Sequence, residues 1–323
     1  MTEDELIAGI EARLRDVAAP RVLVGIGDDS AVWQPSRSHR SVITTDALIE
    51  GVHFTRDTMS ARDAGWRALA SNLSDVAAMG ARPVLATIAL GFPAGTDQDW
   101  LLGCYDGIAA LAKRARCPVA GGDLTRAPAI ALAITVVGEV RPSNLKRRDG
   151  ALPGDVIAVT GSLGASAAGL RVAGDGALSA DPRFADVLAA FRTPEPRLQA
   201  GRRLGASRHV RAMMDLSDGL STDLSRLCAA SGVGALVDTV PVHPGARRVA
   251  ALTGDDPERW ALDGGEDFEL LVTVEKRAFA HLAVRLAAAT GEQLVRIGTI
   301  TAEPDVRRAD GTPIPPAGWD HLR

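Results

Sequence analysis

Two adjacent aspartates, Asp28 and Asp29, lie between Gly27 and the apolar pair Ala31-Val32 in the stretch GIGDDSAV (25–32). Neighbouring carboxylates repel each other. The pair is compatible with a turn, a helix N-cap, a solvated surface or a bound hard cation. Further carboxylates recur where an apolar run should end or a turn begin. Asp46 closes the run Val42–Thr45, Asp123 follows Gly121-Gly122, Asp215 closes Arg211–Met214, and Asp218 comes three residues later in MDLSDGL. Asp75 follows Asn72 by three in ASNLSDVAAMG and shares its face of a predicted helix. Any one of these is explained by the preference of Asp for caps and turns. Their recurrence in both halves points to oxygen-rich coordination. With no Cys or His cluster beside them, the fitting ion is Mg2+. Mg2+ is commonly held by one or two carboxylates plus substrate phosphates, so the spread suggests two or more ions bridging a polyphosphate.

The glycines add a second pattern. Gly121-Gly122 before Asp123, Gly161-x-x-Gly164 before a predicted helix, and Gly264-Gly265 before Glu266-Asp267 all allow close backbone approach. Gly161–Gly164 fits an anion cradle at a helix start and a tight strand-to-helix turn equally well. No Gly-Lys pair occurs, so there is no GxxxxGK[ST] loop; a dinucleotide-binding GxGxxG and the protein-kinase motifs are missing as well. A nucleotide would have to be held by other means.

The elements that must position these residues alternate along the chain. Thr2 and Glu5 read as a capping box opening a helix with Leu6, Ile7, Ile10 and Leu14 on its apolar face. Strands are predicted near 21–24, 41–45 and 83–91, and a strand or bent strand pair over 127–140, with helices over 61–79 and 97–115. The polar, turn-rich stretch 147–155 is the best boundary. Beyond it come strands at 156–160, 211–214, 234–237, 268–274 and 294–297 and helices over 216–231 and 277–289. A Gly-rich turn leads into a helix over 161–172, and 173–194 reads as a variable excursion. Alternating strands and helices in both halves predict α/β domains.

The 323 residues suggest two domains, and 46% hydrophobic content is ample for packed cores. A net charge of −4 argues against a general nucleic-acid binder. Three scattered cysteines, Cys104, Cys117 and Cys228, make neither a disulfide framework nor a zinc site. The acidic start lacks a signal-peptide core, and the longest apolar run is too short to span a bilayer. The expectation is a cytoplasmic protein with no membrane partner.

Taken together, GIGDDSAV (25–32), TTDALIEGVHF (44–54), ALASNLSDVAAMGARP (68–83), GGDLTR (121–126), LPGDVIAVTGSLGASAAGL (152–170), MDLSDGLSTDL (214–224) and LDGGEDFEL (262–270) resemble the bacterial thiamine-monophosphate kinase family. They run in the family's order over nearly the whole chain. The resemblance implies the two-domain α/β fold shared with aminoimidazole ribonucleotide synthetase. A domain over 1–149 would bind ATP and Mg2+ and dimerise through its sheet; a domain over 150–323 would complete the active site. It implies ATP-dependent phosphorylation of thiamine phosphate to thiamine diphosphate by a homodimer. The family pattern makes Asp29, Thr44, Thr45, Asp46, Asp75, Asp123, Asp215 and Asp218 the metal shell, with Asp28 beside it or acting through water. Gly122, Asp123, Arg148, Ser217 and Tyr105 become nucleotide contacts, with Arg148 neutralising charge on the transferred group. His53, Glu266 and Trp319 resemble the thiamine phosphate site. The alternatives are another ATP-dependent synthetase of the same fold and a non-catalytic nucleotide-binding relative. A selenophosphate synthetase would need a reactive Cys near its N-terminus, and none precedes Cys104.

Overall fold

The computed structural model describes residues 2–27, 30–320 and 322. The chain divides into two compact units. One comprises residues 1–76 and 82–142, the other 77–81 and 143–323.

The first unit contains α1 (Glu3–Leu14), β1 (Val22–Val24), β2 (Val32–Trp33), β3 (Arg40–Ile49), α2 (Ala61–Ala78), β4 (Arg82–Phe92), α3 (Gln98–Ala115), β5 (Val119–Arg126) and β6 (Ala131–Val140). α1 begins at the expected capping box: the Glu5 amide donates to Thr2 Oγ1 and the Thr2 amide to Glu5 Oε2. Four strands form a sheet in the order β3-β6-β4-β5, antiparallel except for the parallel pair β4-β5. Gly65 and Gly107 let α2 and α3 cross at backbone contact, since a Cβ at either would sit within 2 Å of a carbonyl oxygen on the other helix. Ile88, Leu90, Leu132 and Ile134 of the sheet are fully buried, as are Leu69, Leu73, Leu101 and Ile108 of the two helices.

The second unit contains β7 (Val156–Thr160), α4 (Ala165–Ala173), the single-turn α5 (Gly176–Ser179), α6 (Ala185–Arg192), α7 (Leu198–Gly205), β8 (Val210–Asp215), α8 (Leu220–Ser231), β9 (Gly234–Val237), α9 (Pro244–Thr253), α10 (Pro257–Asp263), β10 (Leu270–Val274), α11 (Phe279–Thr290), β11 (Leu294–Thr301) and β12 (Val306–Arg308). Its six-stranded sheet runs β12-β9-β11-β7-β10-β8, antiparallel except for β12-β9. β7 and β10 are buried on both faces, with Ile157, Val159 and Leu271 in one core and Ala158, Leu270, Val272 and Val274 in the other. That is why both read in sequence as short unbroken apolar runs.

Three expectations are corrected. The segment 173–194 is no excursion: Phe184, Val187, Leu188 and Phe191 are core residues, and Gly169 of α4 lets the Val187 carbonyl approach to where a Cβ would be 2.0 Å away. Asp46 and Asp123 do not end strands; they lie inside β3 and β5. The helix expected from Leu216 begins at Leu220, because the residues before it form a turn. Among the described residues, no helix is long and apolar enough to cross a membrane.

Candidate functional site

In the first unit the candidate residues gather where β3 meets α2. β3 is an edge strand, so alternate amides on its free side lack a ladder partner. The Asp46 amide is supplied by a side chain instead, donating to Asn72 Oδ1 over 3.1 Å. Asn72 is held in turn by its Nδ2, which donates to the Ala68 carbonyl over 3.0 Å. One turn along the same helical face, the Asp75 carboxylate accepts a hydrogen bond from the Thr44 hydroxyl. Thr44 and Asp46, two residues apart, share the face of β3 turned toward α2.

Thr45 alternates to the other face. Its hydroxyl donates to the Ile134 carbonyl and accepts from Thr135, each over 3.1 Å. Asp123 pairs with Ala89, Ala89 with Ala133 and Ala133 with Ala47, so by register it also belongs to that other face. The pleat therefore divides the predicted shell: Thr44, Asp46 and Asp75 on the helix side, Thr45 and Asp123 on the exposed side. Asp28 and Asp29 lie outside the described residues.

His53 follows β3 in a turn. Its Nδ1 accepts the Ile49 amide over 3.0 Å, which fixes the ring and, in the neutral imidazole, puts the proton on Nε2. Tyr105 sits in α3 at 3% exposure, and burial raises its hydroxyl pKa. It belongs to the core and has almost no surface to offer a nucleotide in this chain. Gly122 accommodates a neighbouring strand: a Cβ there would lie 2.1 Å from the Ile88 carbonyl oxygen.

In the second unit, one turn collects four candidates through the main chain. The Glu266 amide donates to the Ser217 carbonyl over 2.7 Å, and the Trp319 amide donates to the Asp218 carbonyl over 3.0 Å. Asp215 precedes them at the end of β8, 7% exposed. The turn is held from beneath by a residue the sequence reading passed over. Asp223, fully buried in the first turn of α8, accepts the amides of Ser217 (3.1 Å) and Asp218 (3.0 Å) on one carboxylate oxygen. Burial pushes its pKa up to about 6. Arg226 joins the carboxylates of Asp218 and Asp223. The signal was present in DLSDGLSTDL, as a carboxylate five residues beyond Asp218.

Glu266 and Phe268 have φ of 55° and 50°, left-handed values uncommon for side-chain-bearing residues. The loop is held there by its surroundings. The Phe268 amide donates to the Leu216 carbonyl over 3.0 Å. Between the two strained residues, the Asp267 carboxylate accepts the amides of Gly164 (2.7 Å) and Ser166 (3.2 Å). The anion at the start of α4 is thus the protein's own, which decides between the two readings of Gly161–Gly164. Loss of water around the partly buried Asp267 pushes its carboxyl up to about 7. Next to it, Glu269 is buried and paired with Arg197 at 2.6 Å, and it also accepts from the Thr160 hydroxyl.

Arg148 is exposed in the turn-rich stretch, where its carbonyl accepts from Ser231 Oγ over 2.8 Å. Trp319 is 51% exposed. The donors in both units are carboxylate and hydroxyl oxygens, which suit Mg2+. Among the described residues no three His, Cys, Asp or Glu side chains gather into a cluster able to hold a metal by themselves. Such a donor set fits an ion that completes its shell with water and substrate oxygens.

Comparison with known proteins places the chain in a family. Residues 27–140 match the family model "AIR synthase related protein, N-terminal domain", and residues 153–311 match its C-terminal domain. The chain is 39% identical over 299 residues to a thiamine-monophosphate kinase of Synechococcus elongatus, covering 89% of this chain and 88% of the relative. The crystal structure of thiamine-monophosphate kinase from Stenotrophomonas maltophilia superposes with a TM-score of 0.86 at 38% identity, over 97% of this chain and 98% of that one. A structure of AaThiL complexed with AMPPCP and TMP superposes with a TM-score of 0.80 at 30% identity, over 99% and 96% of the two chains.

Proposed function

The chain belongs to the thiamine-monophosphate kinase family, and we propose that it transfers the γ-phosphoryl group of ATP to the phosphate of thiamine phosphate, giving ADP and thiamine diphosphate. The near full-length match at 39% identity carries this reading. The relative bound to AMPPCP and TMP supports the substrate pair.

Phosphoryl transfer rests on positioning and charge neutralisation more than on covalent work by the protein. The acceptor oxygen is already an anion, so no side chain has to remove a proton. A phosphate oxygen of thiamine phosphate attacks the γ-phosphorus in line as the bond to the β-phosphate oxygen breaks and its electron pair leaves with ADP. No phospho-enzyme forms.

We assign Mg2+ binding to Asp28, Asp29, Thr44, Asp46 and Asp75 and to Asp215 and Asp218; Thr45 and Asp123 are assigned to a separate ion, since their side chains lie on the other face of the sheet. Bound there, Mg2+ would offset the charge of the two phosphate chains. Asp223 and Arg226 keep the Ser217–Asp218 turn in shape. Ser217, Gly122 and Arg148 are assigned to the nucleotide. His53, Glu266 and Trp319 are assigned to thiamine phosphate.

Residues 1–149 would carry ATP and Mg2+ binding and dimerisation, and 150–323 the rest of the site. The exposed face of the four-stranded sheet, with Ile43 at 69% exposure beside Thr45 and Ala47, supports association of two copies. A cytoplasmic location accords with this chemistry.

The test is ADP release from ATP and Mg2+, with thiamine phosphate compared with free thiamine and the product identified chromatographically. Turnover with thiamine phosphate alone, yielding thiamine diphosphate, is expected. Binding of ATP without turnover on any acceptor would overturn the reading in favour of a nucleotide-binding protein.

A further inference from the structure

The turn that follows β3, residues 50–58, carries His53 and is held by side chains outside the candidate site. Phe54 is buried next to His53 and Met59 is buried just beyond the turn, while Arg56 between them is exposed. Local main-chain bonds set the shape of the turn. The Gly51 amide donates to the Phe54 carbonyl over 2.8 Å, and the His53 amide donates to the Ile49 carbonyl over 2.9 Å. Its orientation on the unit also depends on α3. The first turn of that helix is capped by Asp97, whose carboxylate accepts the Asp99 amide over 3.0 Å, and it presents Trp100. The Trp100 ring lies nearly parallel to Phe54, with 6.2 Å between centroids and 9° between planes. The Arg56 guanidinium stands 5.0 Å from the centroid of the same indole. Arg56 also pairs with Glu50 at 2.8 Å, at the other end of the turn. Through Phe54 directly, and through Arg56 to Glu50, one indole holds the chain on both sides of His53.

From this geometry we propose that Trp100 is a positioning residue for the acceptor: by holding Phe54 and the Arg56–Glu50 pair, it fixes the turn in which the His53 ring is set. The proposal rests on the kinase reading above, in which His53 is assigned to thiamine phosphate. The path from Trp100 to His53 is short. Phe54 adjoins His53 in the chain, and His53 Nδ1 accepts the Ile49 amide over 3.0 Å, so a shift of the turn moves the imidazole and opens that bond. Ring pairs add orientation to burial, because they favour a narrow range of distance and tilt. A cation near an indole and a carboxylate on that cation favour the same arrangement. Transfer between two bound substrates depends on placement, and a displacement of about 1 Å is enough to cost rate. Trp100 is assigned to neither nucleotide nor metal, so its loss should be felt by the acceptor.

Steady-state kinetics of W100A, W100F and R56M would be compared with wild type, varying thiamine phosphate and ATP separately, with hydrogen exchange of the Ile49 amide followed in the free proteins. W100A should raise KM for thiamine phosphate about fivefold or more while KM for ATP stays within about twofold. It should also speed exchange at Ile49 about tenfold. W100F keeps a ring beside Phe54 and Arg56 and should recover most of both effects. R56M removes one exposed charge and should raise KM for thiamine phosphate about twofold with little loss of stability. A merely structural Trp100 would lower the unfolding midpoint and leave the balance of the two KM values as it is. An unchanged KM for thiamine phosphate in folded W100A, or in R56M if W100A does not fold, would overturn the proposal. Equal rises in both KM values would do so too. Exchange at Ile49 needs no substrate and so separates the two readings. A wild-type protein that does not phosphorylate thiamine phosphate would sink the kinase reading; faster exchange in W100A would still uphold the hold on the His53 turn, and unchanged exchange would overturn it.

Discussion

The Glu266 amide donates to the carbonyl oxygen of Ser217 over 2.7 Å, linking a residue assigned to the acceptor with one assigned to the nucleotide through a single main-chain hydrogen bond. Gly265, with φ of 66°, makes that approach possible: a Cβ there would lie 2.6 Å from the same carbonyl oxygen. The two loops cannot shift independently.

Gly265→Ala should therefore disturb both substrates. The left-handed backbone alone costs a non-glycine residue about 1–2 kcal/mol, and the contact with Ser217 adds to it. Denaturant unfolding should show the loss, and KM should rise for ATP and for thiamine phosphate together. A change in only one KM would show that the loops are not coupled.

Asp223→Ala removes the acceptor of the Ser217 and Asp218 amides and one partner of Arg226. Leaving buried donors unsatisfied should cost about 1–3 kcal/mol. Thermal unfolding should show it, and kcat should fall even at temperatures where the variant is fully folded. Retained kcat in the folded variant would make Asp223 purely structural.

Asp267 gives a pH signature. Desolvation raises its folded pKa to about 7, whereas an unfolded Asp titrates near 4. Between those values the unfolded chain has released a proton that the folded protein keeps, so stability falls as pH rises from about 4 to about 7, by at most about 1.4 kcal/mol per pH unit. The contribution is fully present below pH 4. Asp267→Asn holds one neutral acceptor at the same place and should flatten that slope. Equilibrium unfolding of both proteins from pH 4.5 to 7.5 checks this, and parallel slopes would refute it.

Asp46→Asn and Asp75→Asn should each lower turnover by about two orders of magnitude or more, the scale on which loss of one charge-stabilising group is felt. Asp46 is exposed, so its variant should unfold within about 0.5 kcal/mol of wild type. Raising Mg2+ should recover part of the activity. Unchanged turnover in either variant removes that residue from the metal shell.

Ile43→Lys should leave the unfolding of a single chain nearly unchanged, since Ile43 is already exposed. It should shift the protein toward monomer in sedimentation velocity. A wild-type protein that is monomeric at micromolar concentration would remove the dimer assignment.

Much of the framework was legible in the amino-acid order. The α1 capping box, β7 and β9 stand where the pattern put them, because local hydrogen-bonding chemistry and short apolar runs are written in consecutive residues. The strands holding Asp46 and Asp123 were read too short or missed. β3 continues through three polar residues, Thr44, Thr45 and Asp46, because its ladder with β6 holds it to Ile49. β5 carries Gly121 and Gly122, which argue against a strand unless a neighbour such as β4 supplies the register. The core role of 173–194 was hidden because its Gly, Asp and Pro mask apolar positions that only packing on α4 reveals.

By itself the sequence determined the chemistry available: oxygen donors without a Cys or His cluster, glycines at turns, and motifs in the order of one kinase family. Side-chain type and local order are properties of the chain. Which of those groups meet was decided only by tertiary structure. The pleat of β3 sent Thr44 and Asp46 toward α2 and Thr45 away from it. The α4 amides took Asp267 as their anion, and the Asp218 carbonyl met the Trp319 amide across 101 positions of chain. Those pairings depend on strand register and on backbone approach between distant segments, which residue type alone does not encode.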